Sequence, residues 1–165
     1  MIKLVRLALA LLLALSATSV AARDSLGVFE SWGAFRDAQP PRCYAIAEPA
    51  QEVGNGRWRP FASVSHWPAQ GVRGQLHIRM SRARAGDAVV TLSIGERRFR
   101  LVAGGADAWG QDARADAAIV ASMRSATSMS VESRDTAGQP FADVYRLRGA
   151  ATAIDAAALG CARRR

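Results

Sequence analysis

Lysine is almost missing from this chain: Lys3 is the only one, and every other cation is an arginine. Cysteine is limited to two positions and histidine to two. So few thiols and imidazoles exclude a disulfide-dense miniprotein and a multi-ligand zinc module. Six prolines and 14 glycines are too few for collagen-like or low-complexity chains. Charge is modest at 22% against 50% apolar residues, a balance that disordered chains do not have. Beyond the first residues there is no apolar run of the roughly 18 residues that a spanning helix needs.

What is present begins with Met1 to Ala22, which reads as a cleaved signal peptide. Lys3 and Arg6 form the positive region, Leu7 to Leu15 the apolar stretch, and Ser19 to Ala22 the small residues of the cleavage site. No cysteine follows at the cleavage point, which argues against a lipoprotein. Residues 23–165 then form one expected domain, delivered to the periplasm or secreted. The net charge of +8 falls by two when Lys3 and Arg6 leave. The remaining arginines are scattered and interleaved with acids rather than gathered in a run, so nucleic acid is not an expected partner. Their net field suits weak association with an anionic envelope polysaccharide or a membrane surface.

Cys43 and Cys161 are an even pair in an exported chain, the usual setting for a disulfide. Closing so long a loop is worth on the order of 4 to 5 kcal/mol in the chain-entropy model. The alternative is two free buried thiols behaving as small hydrophobes.

The apolar period is mainly two, the signature of strands. Ala88 to Val102 is the clearest unit. With Gly95-Glu96 as a two-residue turn, Val90 faces Leu101, Leu92 faces Phe99 and Ile94 faces Arg97, while Thr91 and Arg100, and Ser93 and Arg98, share the other side. Phe61 to Trp67 and Gln75 to Met80 form a second pair, and Gly27 to Phe35 and Cys43 to Ala47 an earlier one around Pro40-Pro41. Asp112 caps a helix with Ile119, Val120 and Met123 on one face and Asp116 in its first turn. Met129 to Arg134 and Val144 to Leu147 read as a hairpin. Thr152 to Ala162 reads as a closing helix, with Thr152 and Asp155 in capping positions and Ile154, Ala158 and Cys161 facing inward. The expected fold is mainly β, a sandwich with two short helices in the C-terminal half.

The chemical search is mostly negative. Ser65 and His66 are strand neighbours and point to opposite faces. No GxSxG elbow and no phosphate-loop motif is present. His66 and His77 could share a metal across paired strands if a carboxylate joined them; ordinary strand histidines are the plainer account. Asp107, Asp112 and Asp116 lack EF-hand spacing. No cofactor is expected, and a small metal-assisted or serine hydrolase is the weakest of the readings.

Tryptophan and arginine supply the candidate binding residues. Trp58, Trp67 and Trp109 each lie beside a turn residue, and clustered with Arg57, Arg59 or Arg73 they could stack on sugar rings and hold acidic groups. Core and rim packing is the alternative use for these rings. Arg79, Arg98 and Arg100 would form a basic patch if their strands were neighbours. The candidate set is therefore Trp58, Trp67, Arg73, Arg79, Arg98 and Arg100.

The order of segments adds a resemblance. FESWGAF (Phe29 to Phe35), RCYAIAE (Arg42 to Glu48), the helix around ADAAIVASMRSA, the hairpin SMSVESRDTAGQPFADVYRLRG and the closing AATAIDAAALG resemble the invasion-associated locus B family of exported bacterial envelope proteins. The resemblance implies an immunoglobulin-like β-sandwich, an envelope location and action by binding an envelope or host protein, with no catalytic residues. This chain has no cysteine soon after Trp32 and no cysteine pair between Leu101 and Asp112, so Cys43 and Cys161 are the only pairing it offers.

Overall fold

In the β-hairpin between Val90 and Gly104, one residue in two is apolar, so only one register buries all of them together. A computed structural model of the protein describes residues 23–51, 53 and 56–162; the expected leader lies outside them. Among the described residues there are ten strands: β1 (Arg23–Phe29), β2 (Trp32–Asp37), β3 (Arg42–Ala47), β4 (Phe61–Trp67), β5 (Val72–Arg79), β6 (Val90–Ile94), β7 (Arg97–Gly104), β8 (Asp107–Trp109), β9 (Ser128–Arg134) and β10 (Pro140–Arg146). Two helices, α1 (Ala113–Met123) and α2 (Ala150–Ala162), occupy the C-terminal half. The fold is mainly antiparallel β.

The β6–β7 hairpin has the register that its alternation predicts, Val90 to Leu101, Leu92 to Phe99 and Ile94 to Arg97, around Gly95 at φ +56°. Beyond Leu101, β7 leaves β6 and pairs through Val102 to Gly104 with β8. That one strand joins a first sheet, β1-β2-β3-β4-β5-β8, to a second, β7-β6-β9-β10. A flat sheet would hold β2 and β10 roughly 40 Å apart at normal strand spacing. Instead the Trp32 indole N–H donates to the Arg146 carbonyl at 2.8 Å, so the two sheets close over a shared interior. Corner strands of this kind are how stacked sheets exchange strands.

The interior faces differ in side-chain size. Across the first sheet the inward row is Ala34, Ala45, Val64 and Leu76, all fully buried. Small residues there let α2 lie close, and it returns Ala150, Ala153 and Ala157 to the same interface. A Cys43–Cys161 disulfide ties β3 to the end of that helix. The second sheet contributes Leu92, Ile94, Met129, Val131 and Tyr145. On α1 the Asp112 carboxylate accepts from the Ala115 N–H at 2.7 Å, capping the helix as expected, and Ile119 and Met123 enter the core.

Four local expectations need correction. Gly27 to Phe35 is two strands, because Phe29 pairs with Trp32 and Glu30 turns at φ +54°. What holds that turn is remote in sequence: a Cβ on Gly149 would come within 1.9 Å of the Phe29 carbonyl, so only glycine fits. Helix α2 starts at Ala150, where the Leu147 and Gly149 carbonyls accept the first N–H groups. Thr152 and Asp155 are thus exposed helical residues rather than caps, and Ala153 and Ala157 join Ile154 on the buried face where Ala158 was expected. Strand β10 begins at Pro140 rather than Val144, because the inward-facing Asp143 masks its alternation. Finally, Asp116 is buried and accepts the Leu76 N–H at 3.1 Å instead of facing water.

Candidate binding surface

Arginines emerge on the outward sides of both sheets, and the sheets treat them differently. On β5, Arg79 makes two hydrogen bonds to Asp107 of β8, at 3.0 and 2.9 Å. His77 adds a 2.8 Å contact to the same carboxylate and stacks on Trp109 at 5.2 Å, with Phe61 edge-on at 5.1 Å. Burial alone would raise the Asp107 carboxyl, but the Arg79 and His77 hydrogen bonds hold it below its ordinary value. The Arg79 guanidinium is therefore neutralised locally.

At the other edge of the first sheet, on β1, β2 and β3, Arg23 and Arg42 share Asp37, and Arg36 pairs with Asp24.

On the second sheet, Arg98 and Arg100 are cross-strand neighbours of Ser93 and Thr91, on the side opposite the core. Both are exposed. Arg98 bonds only the Ser93 hydroxyl, at 2.9 Å, and among the described residues Arg100 has no acidic partner. Thr91 and Arg98 line an open groove of about 750 Å³ with Val89, Glu132, Arg134 and Phe141. Glu132 is the only acid on that lining and forms no ion pair among the described residues.

The six expected binding residues do not assemble into one site. Arg98 and Arg100 are brought together as the alternation required. Arg79 shares their outward face, but β8 intervenes, and the register passes from Arg79 through Asp107 to Gly104, four residues along β7 from Arg100. Trp58 and Trp67 lie at opposite ends of the β4–β5 hairpin: the Trp58 indole donates to the Met80 carbonyl at 2.8 Å, while Trp67 pairs with Val72. Arg42 covers the Trp67 ring at 5.3 Å, leaving that face no room for a sugar. Arg73 stands beyond Trp67, in a separate cavity with His66.

His66 and His77 do not share a site either. His66 is paired with Cys43 on the inward side, and His77 faces outward beside Asp107. Ser63 is the direct cross-strand neighbour of His77, yet its hydroxyl donates to the His77 backbone carbonyl at 3.3 Å and not to the ring. That hydroxyl is therefore not set against the His77 ring. Among the described residues no group of three or more His, Cys, Asp or Glu side chains is arranged to hold a metal ion.

Sequence reasoning missed Asp107 as the partner of Arg79, because the pairing depends on the three-residue strand β8 behind Gly104-Gly105. It also missed Arg134, Glu132 and Phe141, which reach the groove only once β9 pairs with β6 and β10 with β9. Comparison with known proteins finds no matching family model, no matching curated protein and no matching solved structure.

Proposed function

We propose that this is an exported, non-catalytic binding protein of the bacterial envelope that holds an anionic envelope polymer on the outer face of its second sheet. The observation that carries the reading is the adjacent, exposed Arg98 and Arg100, which form no ion pair among the described residues, beside a 750 Å³ groove whose lining has one acid, Glu132. The disulfide fits an oxidising compartment, as the periplasm is. The leader-like residues 1–22 and the segment order resembling invasion-associated locus B proteins support the same location. A protein partner, which that resemblance favours, is the second reading.

Exposed charges are screened over about 8 Å at physiological ionic strength, so binding by this face weakens as salt rises. The test is retention of purified protein on anionic envelope polysaccharide at low and physiological salt. An Arg98→Gln/Arg100→Gln variant is expected to lose retention. An Arg36→Gln/Arg79→Gln variant, which removes equal charge from the first sheet, is expected to keep most of it. Equal retention of all three proteins at every salt concentration overturns the reading and leaves the protein partner.

A further inference from the structure

We propose that the cavity between the C-terminal end of α2 and the β4–β5 turn binds the carboxylate of a free aliphatic acid, with Arg73 holding the head and the hydrocarbon lying along the helix. The cavity encloses about 370 Å³, within the range of roughly 300–1,000 Å³ typical of small-molecule sites. Most of its wall is apolar: Pro68, Val72, Ala158, Leu159 and the Cys161 end of the disulfide. Leu159 is 58% exposed among the described residues and adds apolar surface at the cavity mouth. Such a wall favours hydrocarbon over a fully polar ligand.

Two polar side chains, His66 and Arg73, break that wall. His66 Nε2 is buried from solvent with no hydrogen-bond partner. Arg73 is exposed at the rim and has no ion pair among the described residues. No Asp or Glu lines the cavity. Burial, with the nearby Arg73 charge adding to it, holds His66 below its ordinary value, and among the described residues Arg73 is the only arginine on the lining. One guanidinium and an apolar wall match one carboxylate on a hydrocarbon chain, since a guanidinium takes a carboxylate in a two-point contact. A multiply charged phosphate would find half of its charge unmatched.

The site is separate from the basic face of the second sheet, so its test is separate too. Decanoate is titrated calorimetrically into the intact protein at neutral pH, beside decanol, which has the chain without the charge, and acetate, which has the charge without the chain. Decanoate is expected to bind saturably, one per chain, at least tenfold more tightly than either. Arg73→Gln, a surface change that leaves the core untouched, should weaken decanoate at least tenfold and leave decanol unaffected. Leu159→Asp should weaken decanoate as well, by setting a like charge against it. Decanoate binding no tighter than decanol, or unchanged in Arg73→Gln, overturns the proposal.

Discussion

The two sheets use the same residue type to opposite electrostatic ends. On the first, arginine is matched with aspartate almost wherever it emerges: Arg23 and Arg42 with Asp37, Arg36 with Asp24, Arg79 with Asp107. On the second, Arg98 reaches a serine, Arg134 a carbonyl, and Arg100 no acid among the described residues. A net charge of +8 is therefore not a uniform property of the surface. Where opposite charges meet across strands the far field cancels; where they do not, a potential extends into solvent and can draw an anion. Anchorage differs as well. The first sheet is tied covalently to α2, whereas β10 of the second relies on a buried carboxylate, Asp143, which accepts from the Ser81 N–H at 2.7 Å and from the Ser81 hydroxyl.

The largest expected effect breaks the covalent anchor. Cys161→Ser should lower stability by about 2 to 5 kcal/mol, the usual range for removal of a native bridge from an exported domain. Denaturant unfolding of wild type and variant, each with and without reductant, reads the difference. A variant as stable as the oxidised wild type would show that alanine packing alone holds α2 on the first sheet.

Next is the polar anchor of β10. Ser81→Ala removes one donor from a fully buried carboxylate and should cost about 1.5 to 3 kcal/mol at neutral pH. Burial raises the Asp143 carboxyl above its ordinary value, and the Ser81 hydrogen bonds partly oppose that rise. A carboxyl raised in the folded state binds its proton more readily there than in the unfolded chain, so its stabilising contribution is present at low pH and is lost as pH climbs. Loss of the hydroxyl raises the carboxyl further, so the cost should be smaller at pH 4 than at pH 7. Equal costs in urea titrations at both pH values would contradict this account.

A smaller effect blurs the contrast between the sheets. Asp107→Asn should cost less than about 1 kcal/mol, since its partner Arg79 is partly exposed. Because Asp107 is held below 3.8, its contribution is present above that value and disappears as pH falls through the lower folded value. The variant should therefore be less sensitive to acid than wild type across that window. It also frees Arg79, and retention on anionic polysaccharide should rise; unchanged retention would confine binding to the second sheet.

The smallest stability effect belongs to the binding face. Arg98→Gln/Arg100→Gln should melt with the wild type, within about 0.5 kcal/mol, as surface changes do. A larger loss would mark these arginines as structural.

Much of the fold was legible because alternation is a local signal. The register from Val90 to Leu101, and with it the outward pair Arg98 and Arg100, needed only the pleat and a glycine turn. The capping of α1 by Asp112 was equally local. The disulfide was legible as a pairing, since an exported chain with two thiols has one bridge to make. Less legible was each feature whose partner is distant. The Phe29–Trp32 turn carries no glycine of its own and depends on Gly149, and the strand at Pro140 looked broken because its inward Asp143 is satisfied by Ser81, 62 residues earlier.

Composition and period by themselves determined a mainly β chain with two C-terminal helices, the facing of its central hairpin, and an excess of arginine. Only the tertiary structure decided which arginines remain available. Inserting β8 between β5 and β7 sets Asp107 against Arg79, and closing the sheets sends His66 inward and His77 outward. The physical reason is that strand alternation assigns a side chain to a face, whereas its charge partner is chosen by whichever strand becomes its neighbour, and that choice is made by packing over the whole core.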